Sequence, residues 1–387
     1  MTEPNATEHL QTNNKLFGLD HLRSLAIILV FMYHFGRMFP HPEWTNTISE
    51  FGWTGVDLFF VLSGYLIASQ LFANIGKGKK IVLKEFFIKR FFRIIPAYLV
   101  VVALYFFFQS IHEREALAPL WKYLTFTQNL GLDSHTQGTF SHAWSLCVEE
   151  QFYLMLPLTL VVLVYFNAIK RGFVILISLF VVGFLLKLYL WYSMVLPFAD
   201  QPGSGANWFK WIYYPTYCRL DGLLVGISIA AIFQFKSTAR ERIQQYGNHF
   251  ILLSLFVLTG AYFLSINMGS FNTTVYGFPM VAIGYGLMVV GAVSPTSFLY
   301  KFDSKITAKI AVLSYGIYLI HKFVIHLTQE QFSKMNIDSD SNLMFLICIL
   351  TTVLAAILLN RIIERPFLTL RDKVLIKRIS KTQNEDS

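Results

Sequence analysis

Apolar positions in this chain come in long blocks, not in the short alternating runs of a soluble sheet. Stretches of about 20 mostly apolar residues, the length that crosses a bilayer core, recur from end to end. Brief segments rich in Lys, Arg, Gly and Pro cut them. Only helices and closed barrels satisfy their own backbone hydrogen bonds in lipid. The blocks therefore predict an all-α, polytopic integral membrane protein with about ten transmembrane helices. They fall near 18–38, 53–73, 94–111, 144–166, 172–192, 212–234, 249–268, 276–294, 310–329 and 343–362. No internal repeat or low-complexity tract is visible. The longest stretch between blocks, roughly 112–143, holds Trp121, Tyr123 and Phe126 and reads as an interfacial segment or a cap over an outer vestibule.

Composition agrees: 55% of residues are hydrophobic and 14% charged, against about 25% charged in a soluble domain. The net charge of +9 first suggests nucleic acid, but its distribution points elsewhere. With the N-terminus inside, the inner connections hold most of the 32 Lys and Arg, including Lys77 to Lys84, Lys89, Arg90, Arg93 and the run from Arg361 to Lys381. The outer connections hold Arg37, Arg114, Lys122, Lys210 and Lys334. This positive-inside bias puts both termini in the cytoplasm and explains the basic balance without nucleic acid. It divides the chain into a cytoplasmic tail (1–17), a ten-helix membrane domain (18–365) and a basic cytoplasmic tail (366–387). The first fifteen residues lack the apolar core of a signal peptide, so the first helix reads as an uncleaved anchor. The three cysteines, Cys147, Cys218 and Cys348, show neither metal spacing nor a disulfide framework.

Ionisable residues are costly inside a membrane and tend to mark a pathway or site. Arg23 and His34 lie eleven residues apart in the first block. That is three helical turns plus roughly 20°, so both share one face, about 16 Å apart along the axis. Asp57, Glu149 and Glu150 lie about as far below the outer ends of their helices as His34 does, and His142 stands just outside helix four. A carboxylate beside a histidine fixes its tautomer and stabilises its charged form, as a general base requires. Asp57 or Glu149 is the expected partner of His34; the bland reading is that these groups only satisfy one another in helix packing. Glu149 and Glu150 point about 100° apart, so one faces the site and the other a neighbouring helix. His321 lines the same cavity or bonds to a backbone carbonyl. Arg219 and Asp221, two apart in the sixth block, cannot face each other; each needs a partner elsewhere, and structural pairing is the expectation. Lys187 and Lys322 lie near outer ends, where they can snorkel, and carry no function. Cys147 near Glu150 allows an acyl-cysteine but reads first as packing. On the inner side, residues 84–93 alternate basic and aromatic side chains. They suit either a lipid-anchored interfacial helix or a phosphate cradle in which Arg90 and Arg93 lie one turn apart.

Taken together, seven segments resemble the acyltransferase-3 family of membrane acyltransferases. They are Leu-Asp-His-Leu-Arg-Ser-Leu-Ala (19–26) with Tyr33-His34, Gly-Val-Asp-Leu-Phe-Phe-Val-Leu-Ser-Gly-Tyr-Leu-Ile (55–67), Lys-Arg-Phe-Phe-Arg-Ile-Ile-Pro (89–96), His-Ala-Trp-Ser-Leu-Cys-Val-Glu-Glu-Gln-Phe-Tyr (142–153), Arg-Leu-Asp-Gly-Leu-Leu-Val-Gly (219–226), Ser-Tyr-Gly-Ile-Tyr-Leu-Ile-His (314–321) and Glu-Arg-Pro-Phe (364–367). They occur in order and cover nearly the whole chain. The resemblance implies a bacterial inner-membrane enzyme that moves an acyl group, often acetyl, from cytoplasmic acyl-CoA to a glycan hydroxyl outside, without a metal. It makes Arg23 and His34 the essential pair and ties Arg90 and Arg93 to the donor. His21 and Ser24 depart from the pattern, where relatives carry glycine or a small residue. Many relatives add an outer SGNH-hydrolase-like domain, which is not expected here.

The scheme that follows puts the donor phosphates near Arg90, Arg93 and Arg23, with the pantetheine arm beside the first helix. His34 is the base, Asp57 or Glu149 orients it, and His142, Glu150 and His321 line the acceptor site. A proton-coupled transporter is the alternative, since intramembrane His, Asp and Arg also build carriers; the two related halves common in carriers are not visible. A membrane glycosyltransferase using a lipid-linked sugar is a second rival, and the missing acidic metal-binding pair in a loop argues against it.

Overall fold

The computed structural model describes residues 17–201 and 203–385, with side chains described to residue 376. The expected N-terminal tail lies outside the described residues except for Phe17, as do residues 386 and 387. Among the described residues there is no strand. A helix stands at each of the ten predicted places: α1 (Phe17–Met38), α2 (Gly55–Gly76), α3 (Leu83–Phe107), α4 (Trp144–Tyr165), α5 (Gly172–Leu190), α6 (Asp221–Phe235), α7 (Gly247–Leu264), α8 (Phe278–Ala292), α9 (Lys305–Ser333) and α10 (Asn342–Leu359). An eleventh, α11 (Arg365–Glu385), forms where a basic tail was expected and packs against α3.

Among the described residues, eight helices are long and apolar enough to cross a membrane. A ninth candidate is α6 together with Ser237–Gln244, bent by 110° from it. Helix α1 is not among them, because Asp20, His21, Arg23 and His34 lower its hydropathy. It sits instead at the centre, packed against α2, α8 and α9, with most of its length buried. Protein, not lipid, surrounds its polar groups. Helix α5 is the opposite case: strongly apolar and mostly exposed, as a lipid-facing helix should be.

Two boundaries differ from the sequence reading. The basic-aromatic run 84–93 is not a separate interfacial helix; it is the start of α3, which continues through Pro96. The sixth helix starts at Asp221, not near 212, because Pro215 cannot continue the π-turn Phe209–Tyr213 into a helix. Arg219 therefore precedes α6.

Small residues set the closest crossing. Gly64 on α2 and Gly226 on α6 face each other's helices, and a Cβ on either would run into the opposing backbone, Leu223 O or Val61 O. Backbone contact of this kind is how membrane helices pack where no hydrophobic force separates lipid from protein. The crossing brings Asp57 and Arg219 together, and Arg219 Nη2 donates to both carboxylate oxygens at 2.9 and 3.0 Å. Lys187 of α5 pairs with Asp221. Lys322 of α9 meets Glu113 at 2.9 Å, both side chains fully buried. The two lysines thus do not snorkel. Each has an acid within reach from another segment, which replaces water as its partner. The expected structural role of Arg219 and Asp221 is realised through partners on other helices.

Candidate functional site

Three chambers lie in series along α1. The innermost, about 420 Å³, is lined by Arg23, Lys89, Arg90, Arg93 and Arg371, with Asp20 and Phe86. The middle one, about 140 Å³, shares Arg23, Arg90 and Arg93 and adds Ser63, Glu149, Tyr153, Ser145 and Tyr318. The outer one, about 390 Å³, shares Val56 and Tyr318 with the middle chamber. Its walls hold His34, His142, Arg37, Arg114 and a set of aromatic rings. Arg23 and His34 open onto opposite ends of this series, as their shared helical face requires.

The inner chamber is a cationic cradle. Arg90 is held over the rings of Phe86 and Tyr153, at 5.8 and 5.3 Å, so its guanidinium is placed by packing as well as charge. Arg23 lies close enough to Arg90 and Arg93 for their like charges to interact, an arrangement that favours an anion between them. Arg371 of α11 completes the rim. It lies in a segment read only as a basic tail, so sequence reasoning missed it. His21 and Ser24, the departures from the family pattern, both bond to Thr307: His21 Nδ1 to its hydroxyl at 2.8 Å and Ser24 Oγ to its carbonyl at 2.7 Å. They dock α1 onto the start of α9.

Glu149 belongs to the middle chamber. It accepts from Ser63 Oγ at 2.6 Å and from Tyr153 at 3.4 Å. Asp57 is taken by Arg219. Neither carboxylate bonds to the His34 ring, so the expected orienting role falls to neither. The physical reason is that each has nearer donors of its own, a guanidinium for Asp57 and two hydroxyls for Glu149. Glu150 lines none of the three chambers, though its charge interacts with Glu149 and Arg90. Cys147 is buried and lines none of them either.

The partner of His34 is His321. Its Nδ1 lies 3.0 and 2.8 Å from the carbonyls of Ile317 and Tyr318. Carbonyls only accept, so this nitrogen carries the proton and Nε2 of the neutral ring is a lone pair. That lone pair is 3.1 Å from His34 Nδ1, which is also 2.9 Å from Val30 O. Both constraints place a proton on His34 Nδ1, and together they leave its Nε2 as a free acceptor. Among the described residues Nε2 has no hydrogen-bond partner, and the ring lines the outer chamber. His142 stands 5.8 Å from His34 and 4.9 Å from His321 between ring centres. Among the described residues, no group of His, Cys, Asp or Glu side chains is arranged to hold a metal ion.

The loop 112–143 caps the outer chamber and aims His142. Phe140 adopts a left-handed backbone, φ 52°, which is costly for a bulky residue. Its ring, stacked 4.4 Å from Tyr105 and 5.6 Å from Tyr123, holds it there. Glu113 accepts from the Phe140 amide at 3.1 Å as well as pairing with Lys322. Burial alone pushes the Glu113 carboxyl up; Lys322 and the hydrogen bonds outweigh it and hold it below its ordinary value. Tyr318 stands between the middle and outer chambers, its hydroxyl donating to His142 O at 2.7 Å and 2.5 Å from Ser145 Oγ. Glu113 and Tyr318 were not singled out from sequence. Tyr318 had a signal, since it lies three residues before His321 and so on the same helical face.

Residues 16–361 match the acyltransferase domain of the acyltransferase-3 family. The chain belongs to that family. The O-acetyltransferase OatA of Staphylococcus aureus is 30% identical over 379 residues, covering 93% of this chain and 58% of that protein. The peptidoglycan O-acetyltransferase OatA of Listeria monocytogenes is 33% identical over 341 residues, covering 80% of this chain and 49% of its own length. The chain thus spans about half the length of these curated relatives. No solved structure matches it. With its helices and these relatives, this acyltransferase-family member is an integral bacterial membrane protein.

Proposed function

We propose that the chain is an O-acyltransferase that moves an acyl group, acetyl above all, from cytoplasmic acyl-CoA to a hydroxyl of a cell-envelope glycan. The observation that carries this reading is the series of three chambers, cationic at one end and ending on an unprotonated imidazole nitrogen at the other. The inner cradle fits the donor's phosphates: Arg90 and Arg93 on α3, Arg23 on α1 and Arg371 on α11 offer planar forks that suit phosphate oxygens. The roughly 16 Å from Arg23 to His34 leaves room for an extended arm between the two sites. The Listeria relative is named for peptidoglycan, which supports a glycan acceptor here.

In this reading His34 Nε2 takes the proton of the acceptor hydroxyl as that oxygen attacks the thioester carbonyl carbon. The carbon–sulfur bond breaks, and the departing thiolate receives the proton from His34. His321 Nε2 holds His34 in the reactive tautomer and accepts more strongly from Nδ1–H once the ring is charged. Tyr318 and Ser145, at the junction of the chambers, lie where the carbonyl must pass. No residue need be acylated on the way.

The test is turnover. Purified full chain in detergent, given acetyl-CoA and a soluble glycan, should release free thiol and yield an acetylated sugar by mass spectrometry. A carrier would do neither; substrate uptake into vesicles without thiol release would overturn the enzyme reading.

A further inference from the structure

The outer chamber carries a charge pattern that acyl transfer does not itself demand. Arg37 and Arg114 line it, and no Asp or Glu does. Both arginines are exposed at the mouth of the chamber, and among the described residues neither has an ion-pair partner. The positive-inside bias makes basic residues scarce on this side of the chain. The three lysines there are engaged elsewhere: Lys122 lies over Trp121 and donates to Leu130 O, Lys210 lies over Trp211, and Lys334 pairs with Glu330. The two arginines are the ones left over, and both open on one cavity.

Their placement fits a ligand. Arg37 follows His34 by one turn of α1, about 4.5 Å further out. Trp53, Trp144, Tyr213 and Tyr214 give the wall flat apolar faces with polar edges, which suit a sugar ring. Arginine forks favour carboxylate or phosphate over neutral groups.

We infer that the acceptor is an anionic saccharide. Arg37 and Arg114 hold its carboxylate or phosphate, while a ring hydroxyl one turn deeper meets His34. The inference rests on the acyl-transfer reading for the role of that hydroxyl, but not for the binding preference.

The experiment compares three soluble probes on the full chain in detergent: methyl glucoside, methyl glucuronoside and glucose 1-phosphate. Binding is read without donor by quenching of tryptophan fluorescence, and transfer is read with acetyl-CoA. Both charged sugars, or one of them, should bind about tenfold more tightly than the neutral one, as a charge-assisted contact implies. Which of the two binds identifies the source of the charge. The advantage should appear in KM, and Arg37→Gln with Arg114→Gln should abolish it. Equal binding of all three, or a preference that survives the double substitution, overturns the inference. Tight anionic binding without acetylation would instead overturn the transfer reading and leave this binding site standing.

Discussion

The ion pairs around the start of α6 and the histidines beside the outer end of α1 are both buried polar groups in a membrane protein, yet they obey opposite rules. At α6 the charges cancel: Arg219 with Asp57, and Lys187 with Asp221. The Arg219 donors that lack an acceptor face the rings of Phe278, Tyr213 and Trp144, at 4.0 to 5.5 Å. At the histidines the donors and acceptors do not close. His321 and Val30 fix one nitrogen of His34 and leave the other facing a chamber. Polar residues whose bonds all end inside the protein hold helices together; one that keeps a lone pair on a cavity is available for chemistry.

The sharpest way to break this comparison is His34→Ala. Loss of a general base costs about 10²- to 10⁴-fold in rate, while melting in detergent should barely change, since the ring's bonds tie it to one helix carbonyl and one other ring. Normal turnover, or a protein that no longer folds, would put His34 on the structural side with Arg219.

Arg219→Leu should do the reverse. It leaves Asp57 as an uncompensated buried charge, which costs about 3–5 kcal/mol and should show as low folded yield and early melting. Asp57→Leu added to it should restore much of the loss, because a buried pair can be replaced by well-packed apolar groups. If the double variant melts normally yet is inactive, the α6 cluster also takes part in the reaction, and the division fails.

What the sequence could reveal follows the same line. Local hydropathy gives roughly where the helices lie: a helix stands at each of the ten predicted places, although the third starts earlier and the sixth later than its block, and among the described residues only eight, or nine with the bent pair, are long and apolar enough to cross a membrane. The shared face of Arg23 and His34 is a property of one helix, so spacing alone gave it. Partners are a property of the whole fold. Lys322 looked free to reach water because it lies near the outer end of its block; Glu113 arrives from a loop more than two hundred residues earlier. Glu149 looked level with His34 when depth was counted from helix ends, but its ring of hydroxyls and arginines places it one chamber inward. The carboxylate expected at His34 proved to be an imidazole for the same reason.

The smallest expected effect tests that last point. His321 does not line the outer chamber, so in the proposed mechanism it works only by positioning His34. With His321→Ala the Nδ1 proton of His34 keeps only Val30 O, and the charged ring loses an acceptor at the moment it forms. About a tenfold fall in kcat is expected from weakened base catalysis, with KM for both substrates unchanged because nothing that binds them has moved. His321→Gln retains an acceptor oxygen and should recover most of the rate. A purely packing role predicts a different pattern: Gln would be no better than Ala, and the loss would follow melting temperature in place of kcat. That outcome would remove the imidazole pair from the mechanism and leave His34 to be oriented by Val30 alone.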